Sequence, residues 1–105
     1  MAGADISRRE VMREQGLEQK IVGIVRSHRG VCLKWVSPGF TGVPDRICFF
    51  PGGRILFVEV KRPDGKGRTS HRQKRVAEIL TLLGQKVITV ESAAEFEEYI
   101  EKEVR

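Results

Sequence analysis

The sequence predicts an α/β domain in which a small mixed β-sheet is flanked by helices. Three segments carry apolar residues at helical spacing, which is typical of amphipathic helices. Four short runs are rich in β-branched residues, and glycine and proline separate several of them, which is typical of strands joined by turns. The predicted order is α-β-β-β-α-β-α, and the 105 residues are enough for one domain, spanning 1–105.

The first helix is predicted over about Ser7 to Ser27, where Leu17, Ile21 and Val25 fall on one face. Gly30 marks its end.

Three strands are predicted next, over Val31–Val36, Asp45–Phe50 and Ile55–Lys61. The loop before the second strand, Ser37–Pro44, is rich in residues that break regular structure. Pro51-Gly52-Gly53 is predicted to form the tight turn of a hairpin between the second and third strands.

The remaining elements follow a basic, glycine-containing loop at Arg62–Thr69. A second helix is predicted over Ser70–Leu83, with Gly84 as its C-terminal stop. A last strand is predicted at Lys86–Val90. Ser92 and Glu95 have the spacing of a capping box that opens a final helix ending near Glu103, with Phe96, Tyr99 and Ile100 as its apolar stripe.

The composition excludes several classes of protein. No apolar run approaches the roughly 18 residues that a membrane span needs, and the N-terminal residues lack the apolar region of a secretory signal. The two cysteines, Cys32 and Cys48, cannot form a disulfide framework, and we expect them to be buried free thiols in a reducing, cytoplasmic compartment. Nothing in the sequence predicts a small-molecule cofactor.

The formal net charge of +5 is concentrated in one stretch. Lys61 to Arg75 holds seven basic residues against the single acid Asp64. Such a cluster is able to displace counterions from nucleic acid, but a solvated basic face would give the same pattern.

Asp45 and Glu59 are carboxylates at the ends of predicted strands. A two-residue turn would put Asp45 opposite Val60, on the wrong face. A three-residue turn pairs Phe50 with Arg54 and puts Asp45 opposite Glu59. Proline at the first turn position and glycine at the left-handed position favour the longer turn, so we predict that the two carboxylates are neighbours.

Two neighbouring carboxylates repel each other unless a cation lies between them. Oxygen ligands favour Mg²⁺, for which Mn²⁺ is expected to substitute, and a divalent ion binds phosphate oxygens and activates water. Lys61 lies on the same strand face as Glu59, where it is able to orient that water. The alternative is an exposed Glu59–Lys61 ion pair beside a turn aspartate, which would contribute little.

Gly42-Val43-Pro44-Asp45, thirteen intervening residues and then Glu59-Val60-Lys61 form a pattern similar to the PD-(D/E)XK nuclease signature. The chain further resembles the VRR-NUC family of that superfamily. Glu18 corresponds to the family's acid in the first helix, Gln73 to its glutamine near the start of the second core helix, and Gly84–Val90 to its terminal strand. The resemblance covers about Leu17 to Glu98, the expected core of the domain.

The resemblance implies a restriction-endonuclease-like core and a metal-dependent active site. Asp45, Glu59, the Val60 carbonyl and Glu18 would hold one or two Mg²⁺ ions, with Glu14 as the rival to Glu18. The catalytic set would be Asp45, Glu59, Lys61 and Gln73, the lysine positioning the attacking water and the glutamine supporting Lys61 or the phosphate. Gln73 also fits a capping box with Ser70, and the two roles are compatible.

The implied activity is endonucleolytic cleavage of DNA that leaves 5′-phosphate and 3′-hydroxyl ends. We expect the basic residues to contact the DNA backbone without reading its sequence: Arg62, Lys66, Arg68, His71, Arg72 and Arg75. Selectivity for branched DNA such as four-way (Holliday) junctions and a homodimer are further expectations from the family. The alternatives are a catalytically inactive DNA-binding protein with this fold and a nuclease that acts on RNA.

Overall fold

A computed structural model describes residues 16–61 and 70–103 of the chain. Helix α1 occupies residues 16–27 of the described part. The strands β1 (Val31–Lys34), β2 (Arg46–Phe50) and β3 (Arg54–Val60) follow, then helix α2 (His71–Leu82), strand β4 (Lys86–Val90) and helix α3 (Ala93–Glu103). The four strands form one sheet in the order β1-β2-β3-β4, with β1, β2 and β3 antiparallel and β4 parallel to β3. This is the mixed α/β fold that the sequence predicts.

One face of the sheet packs against α1 and α3. Side chains alternate between the two faces of a strand, so Cys48 and Phe50 of β2 share this face with Leu56 and Val58 of β3. These residues form one buried cluster with three from α1 and two from α3: Leu17, Ile21, Val25, Phe96 and Ile100. Cys32 and Cys48 are opposite each other in this cluster as buried free thiols, as predicted.

The opposite face of the sheet carries helix α2 over only part of its width. Val76 of α2 is buried, and Phe57 of β3 is buried beside Trp35, with ring centroids 5.4 Å apart. Three apolar side chains of the same face on β1 and β2 are exposed: Val31, Leu33 and Phe49. This face of the sheet therefore has two parts. One part is covered by α2, and the other is an uncovered apolar surface on β1 and β2.

The helices and strands differ from the sequence expectations mainly at their ends. β1 ends two residues early, although the Trp35 N–H still bonds to the Asp45 carbonyl at 3.0 Å. The part of the first predicted helix before residue 16 lies outside the described residues. Val76, Ile79 and Leu83 have the spacing of an apolar stripe along α2 and its C-cap, but only Val76 of the three is buried. The helix packs on β4, the edge strand, so part of its stripe has no strand to cover it.

No helix among the described residues is both long and apolar enough to cross a bilayer.

Candidate active site

The hairpin between β2 and β3 brings Asp45 and Glu59 together. Phe50 pairs with Arg54 and Arg46 with Val58, as the three-residue turn predicted, and one step further along the same register Asp45 faces Glu59. Gly52 and Gly53 have φ of 85° and 79°, which the turn requires and which glycine adopts without steric cost. Asp45 accepts a 2.8 Å hydrogen bond from the Val60 N–H through Oδ2. The carboxylate is therefore fixed at the start of β2, beside the end of β3.

Glu59 is a buried carboxyl group, with only 8% of the residue exposed. Burial and then the neighbouring Asp45 carboxylate raise its pKa to about 8, and a hydrogen bond with Asp45 acts in the same direction. Without a cation, a pKa of about 8 favours the protonated form of Glu59 at neutral pH.

Gln73 links this pair to the start of α2. Its backbone N–H bonds to Ser70 Oγ at 3.1 Å, and its Oε1 accepts the Ser70 N–H at 2.9 Å, which completes the predicted capping box. Its Nε2 then donates to Glu59 Oε1 at 2.8 Å. Because the Ser70 N–H requires an acceptor, the amide nitrogen is left to face Glu59. The predicted capping role of Gln73 is therefore confirmed and its amide nitrogen contacts Glu59, whereas support of Lys61 or of the phosphate stays a prediction.

Val60 and Lys61 continue from Glu59 at the end of β3. The Lys61 N–H bonds to the Val90 carbonyl at 2.9 Å, so the chain still follows β4 at this residue. The N–H and C=O of one strand residue lie on the same side of the strand, so the Val60 carbonyl faces the side on which Asp45 lies. Strand alternation places the half-buried Lys61 on the same face as Glu59.

Glu18 contacts Arg46 and is not grouped with Asp45 and Glu59. Its Oε1 accepts from Arg46 Nε at 2.9 Å, and both side chains are about four-fifths buried (18% and 19% exposed). Among residues 16–61 and 70–103, no three Asp, Glu, His or Cys side chains come together as ligands of one metal ion. Glu18 is thus paired with Arg46 and is not grouped with Asp45 and Glu59, and its role as a metal ligand stays a prediction. Its rival, Glu14, lies outside the described residues.

Half of the predicted DNA contacts are in the described part of the chain. His71, Arg72 and Arg75 are exposed on the first turns of α2, the helix that also carries Gln73. Arg62, Lys66 and Arg68 lie outside the described residues.

The donor atoms at this point suit a hard divalent cation. Two carboxyl groups and one backbone carbonyl offer oxygen alone, which Mg²⁺ and Mn²⁺ prefer. Burial and then the neighbouring Asp45 carboxylate raise the pKa of Glu59, and a divalent ion at this point would oppose both effects. Asp45, Glu59 and Val60 thus fit the metal that the sequence pattern implies.

Two polar contacts near the site were missed by the sequence reasoning. The first contact is the ion pair of Arg46 with Glu18. The sequence could have predicted it, because strand alternation puts Arg46 on the core face, where a charged group needs a counter-charge. The second contact joins Thr41 Oγ1 to Arg72, in a loop and a helix 31 residues apart. No local pattern indicates such a pair.

Comparisons with known proteins support the assignment of the fold. No protein-family model matches the sequence. A curated protein named "Putative nuclease p44", from Acyrthosiphon pisum secondary endosymbiont phage 1, is 40% identical over 82 residues, which are 78% of this chain and 86% of that protein. A solved structure titled "VRR_NUC domain" superposes with a TM-score of 0.78 at 27% identity, covering 86% of this chain and 96% of the other.

The fold and these similarities together define a protein of the nuclease-like class. Within that class, the chain belongs to the VRR-NUC family.

Proposed function

We propose that this protein is a metal-dependent endonuclease that hydrolyses DNA phosphodiester bonds. The observation that supports it best is the contact between the Asp45 and Glu59 carboxyl groups, with Glu59 buried and backed by Gln73. A purely structural role would not account for this arrangement, because burying the Glu59 carboxyl group next to a second carboxyl group costs free energy unless a cation compensates for it.

Each residue of the site has a distinct task in this proposal. Asp45 and Glu59 hold a divalent ion together with the Val60 carbonyl, and Gln73 fixes the orientation of the Glu59 carboxyl group. Lys61 orients the attacking water and offsets negative charge that develops on the phosphate. Mg²⁺, or Mn²⁺ in its place, would supply Lewis acidity toward the phosphate and lower the pKa of water.

The substrate is expected to lie across the start of α2. His71, Arg72 and Arg75 are exposed there, next to Gln73, and contacts of this type bind phosphate without reading sequence. Selectivity would then depend on the shape of the DNA, with branched or four-way DNA as the favoured class. Cutting both strands of such a junction requires two active sites, which a homodimer would provide.

The proposal is tested by incubating the protein with linear, flapped and four-way DNA in Mg²⁺, in Mn²⁺ and in EDTA. We expect cutting with either ion and none in EDTA. Asp45→Asn and Lys61→Ala should each lower the cleavage rate by roughly 10²-fold or more while DNA binding in EDTA is retained.

The matched control is Lys86→Ala, which removes an exposed lysine at the opposite end of the sheet and should leave cleavage unchanged. Cleavage that survives both site variants would refute the proposed site. Binding without cleavage in any metal would favour the inactive DNA-binding protein, and cutting of RNA in place of DNA would change the substrate.

A further inference from the structure

A groove lies beside the candidate active site, between the loop that leads into β2 and the exposed side of α2. Its volume is about 370 Å³, within the range of roughly 300–1,000 Å³ that is typical of ligand-binding clefts. Val76 and Ile79 form an apolar floor, and Phe40, Thr41, Arg72 and Arg75 stand around it. The groove thus combines an aromatic ring, an apolar base and two guanidinium groups.

The loop that carries Phe40 is fixed to α2 at two points. Gly42 has φ of 91°, and a Cβ there would meet the Arg72 carbonyl carbon and oxygen at 2.9 Å, so the loop backbone lies directly against the first turn of the helix. Thr41 Oγ1 also bonds to the Arg72 guanidinium. Phe40 is nevertheless 57% exposed, although an apolar ring would ordinarily be buried. The loop therefore holds an aromatic side chain at the surface in a defined place.

Both sides of the groove continue into the catalytic residues. Thr41 precedes Asp45 by four residues along the loop, and Arg72 directly precedes Gln73 on α2. A nucleic acid strand whose phosphate is at Asp45 and Glu59 would consequently bring an adjacent nucleotide to the groove.

We propose that this groove binds one unpaired nucleotide of the DNA substrate, with its base stacked on Phe40 and its phosphate held by Arg72 and Arg75. An exposed aromatic ring offers a stacking surface to a base, whereas in a paired duplex the base faces are already covered by neighbouring bases. Guanidinium groups match phosphate oxygens in charge and geometry. The inference rests on the proposed function and gives a physical basis for the proposed selectivity for branched DNA. Flaps and branch points supply unpaired nucleotides next to the cleaved bond.

The test compares a fully paired duplex, the same duplex with a single-stranded flap, and the single strand alone, all bound in EDTA so that cutting does not interfere. Fluorescence anisotropy gives the affinities, and 2-aminopurine in the flap reports stacking. Phe40→Ala should weaken binding of the flapped and single-stranded DNA by roughly 5- to 100-fold and leave duplex affinity within about twofold. The 2-aminopurine quenching seen with the unaltered protein should be lost.

Three variants separate stacking from other effects. Phe40→Trp should retain flap preference, whereas Phe40→Leu, which keeps apolar volume without a π face, should behave like Phe40→Ala. Leu82→Ala shortens another exposed apolar side chain of α2 and should change nothing. Circular dichroism checks that each variant is folded.

An unchanged flap preference in Phe40→Ala, or unaltered binding in Phe40→Leu, would overturn the nucleotide groove. If the unaltered protein still cuts DNA with Mg²⁺ in that case, the proposed nuclease function stands. Absence of both DNA binding and metal-dependent cutting would overturn the two proposals together.

Discussion

At Glu59, burial and the neighbouring Asp45 carboxylate act in the same direction on the pKa, raising it to about 8. Because the folded-state pKa lies above the ordinary value near 4.5, protonation of Glu59 stabilises the folded chain. That stabilisation is complete below the ordinary pKa and is lost as the pH rises through about 8.

Glu59→Gln tests this coupling. In EDTA, the melting temperature of the unaltered protein should decrease between about pH 5 and pH 9. That of Glu59→Gln should decrease less over the same range, because the amide that replaces the carboxyl group does not titrate. Thermal unfolding followed by circular dichroism measures the difference. Equal slopes would show that Glu59 titrates at its ordinary pKa and that the pair is not strained.

The ion pair with Arg46 indicates a structural role for Glu18, whereas the family resemblance implies that Glu18 is a metal ligand. A single substitution distinguishes the two roles. Glu18→Gln leaves the largely buried Arg46 guanidinium without its counter-charge, so we expect a loss of roughly 1–3 kcal/mol in the free energy of unfolding. Cleavage measured below the melting temperature should persist. Urea unfolding and a cleavage assay on the same sample check both expectations.

Glu98→Gln is the matched control for that change. Glu98 pairs with Lys102 at 3.2 Å, but both side chains are about 70% exposed, so its removal should cost about 0.5 kcal/mol or less. If Glu18→Gln abolished cutting without loss of stability, Glu18 would be a ligand that leaves Arg46 when the metal binds.

At the scale of elements, the β2–β3 hairpin sets the site. Its register was predictable from sequence because Pro51, Gly52 and Gly53 restrict the turn to few conformations, and the register alone places Asp45 opposite Glu59. The α2 cap was predictable for the same kind of reason, since Ser70 and Gln73 are three residues apart. The contact of Gln73 with Glu59 needed the structure, because it depends on how α2 packs on the sheet.

The glycines of α1 and of the hairpin should respond to alanine in opposite directions. Gly23 lies within α1 with open space around it, so Gly23→Ala should stabilise the protein by about 0.5–1 kcal/mol. Gly53 has φ of 79°, so Gly53→Ala should destabilise it by about 1–2 kcal/mol although nothing lies in the way of the new methyl group. Urea unfolding measures both. A neutral Gly53→Ala would mean that the turn has another conformation.

At the scale of the whole molecule, alternation in the strands predicted which residues share a face but not which faces are covered. Phe40 and Phe49 are both exposed, although phenylalanine is among the residue types most often buried. Coverage depends on where helices of limited length come to lie, and a local pattern does not contain that information.

The uncovered apolar part of the sheet, at Val31, Leu33 and Phe49, supports the proposed homodimer. Leu33→Glu places a charge in this patch and should convert a dimer into a monomer, as measured by light scattering coupled to size-exclusion chromatography. The control is Leu82→Glu, which adds the same charge to α2. If the unaltered protein were a monomer at every concentration measured, the proposed dimer would be contradicted. That result would not affect the proposed active site.

The most direct measurement of the central claim is anomalous diffraction from crystals of this protein soaked in Mn²⁺. We predict a peak within coordination distance of the Asp45 and Glu59 carboxylates, and its loss in Asp45→Asn. A saturating soak that leaves no peak between those two carboxylates would contradict the account.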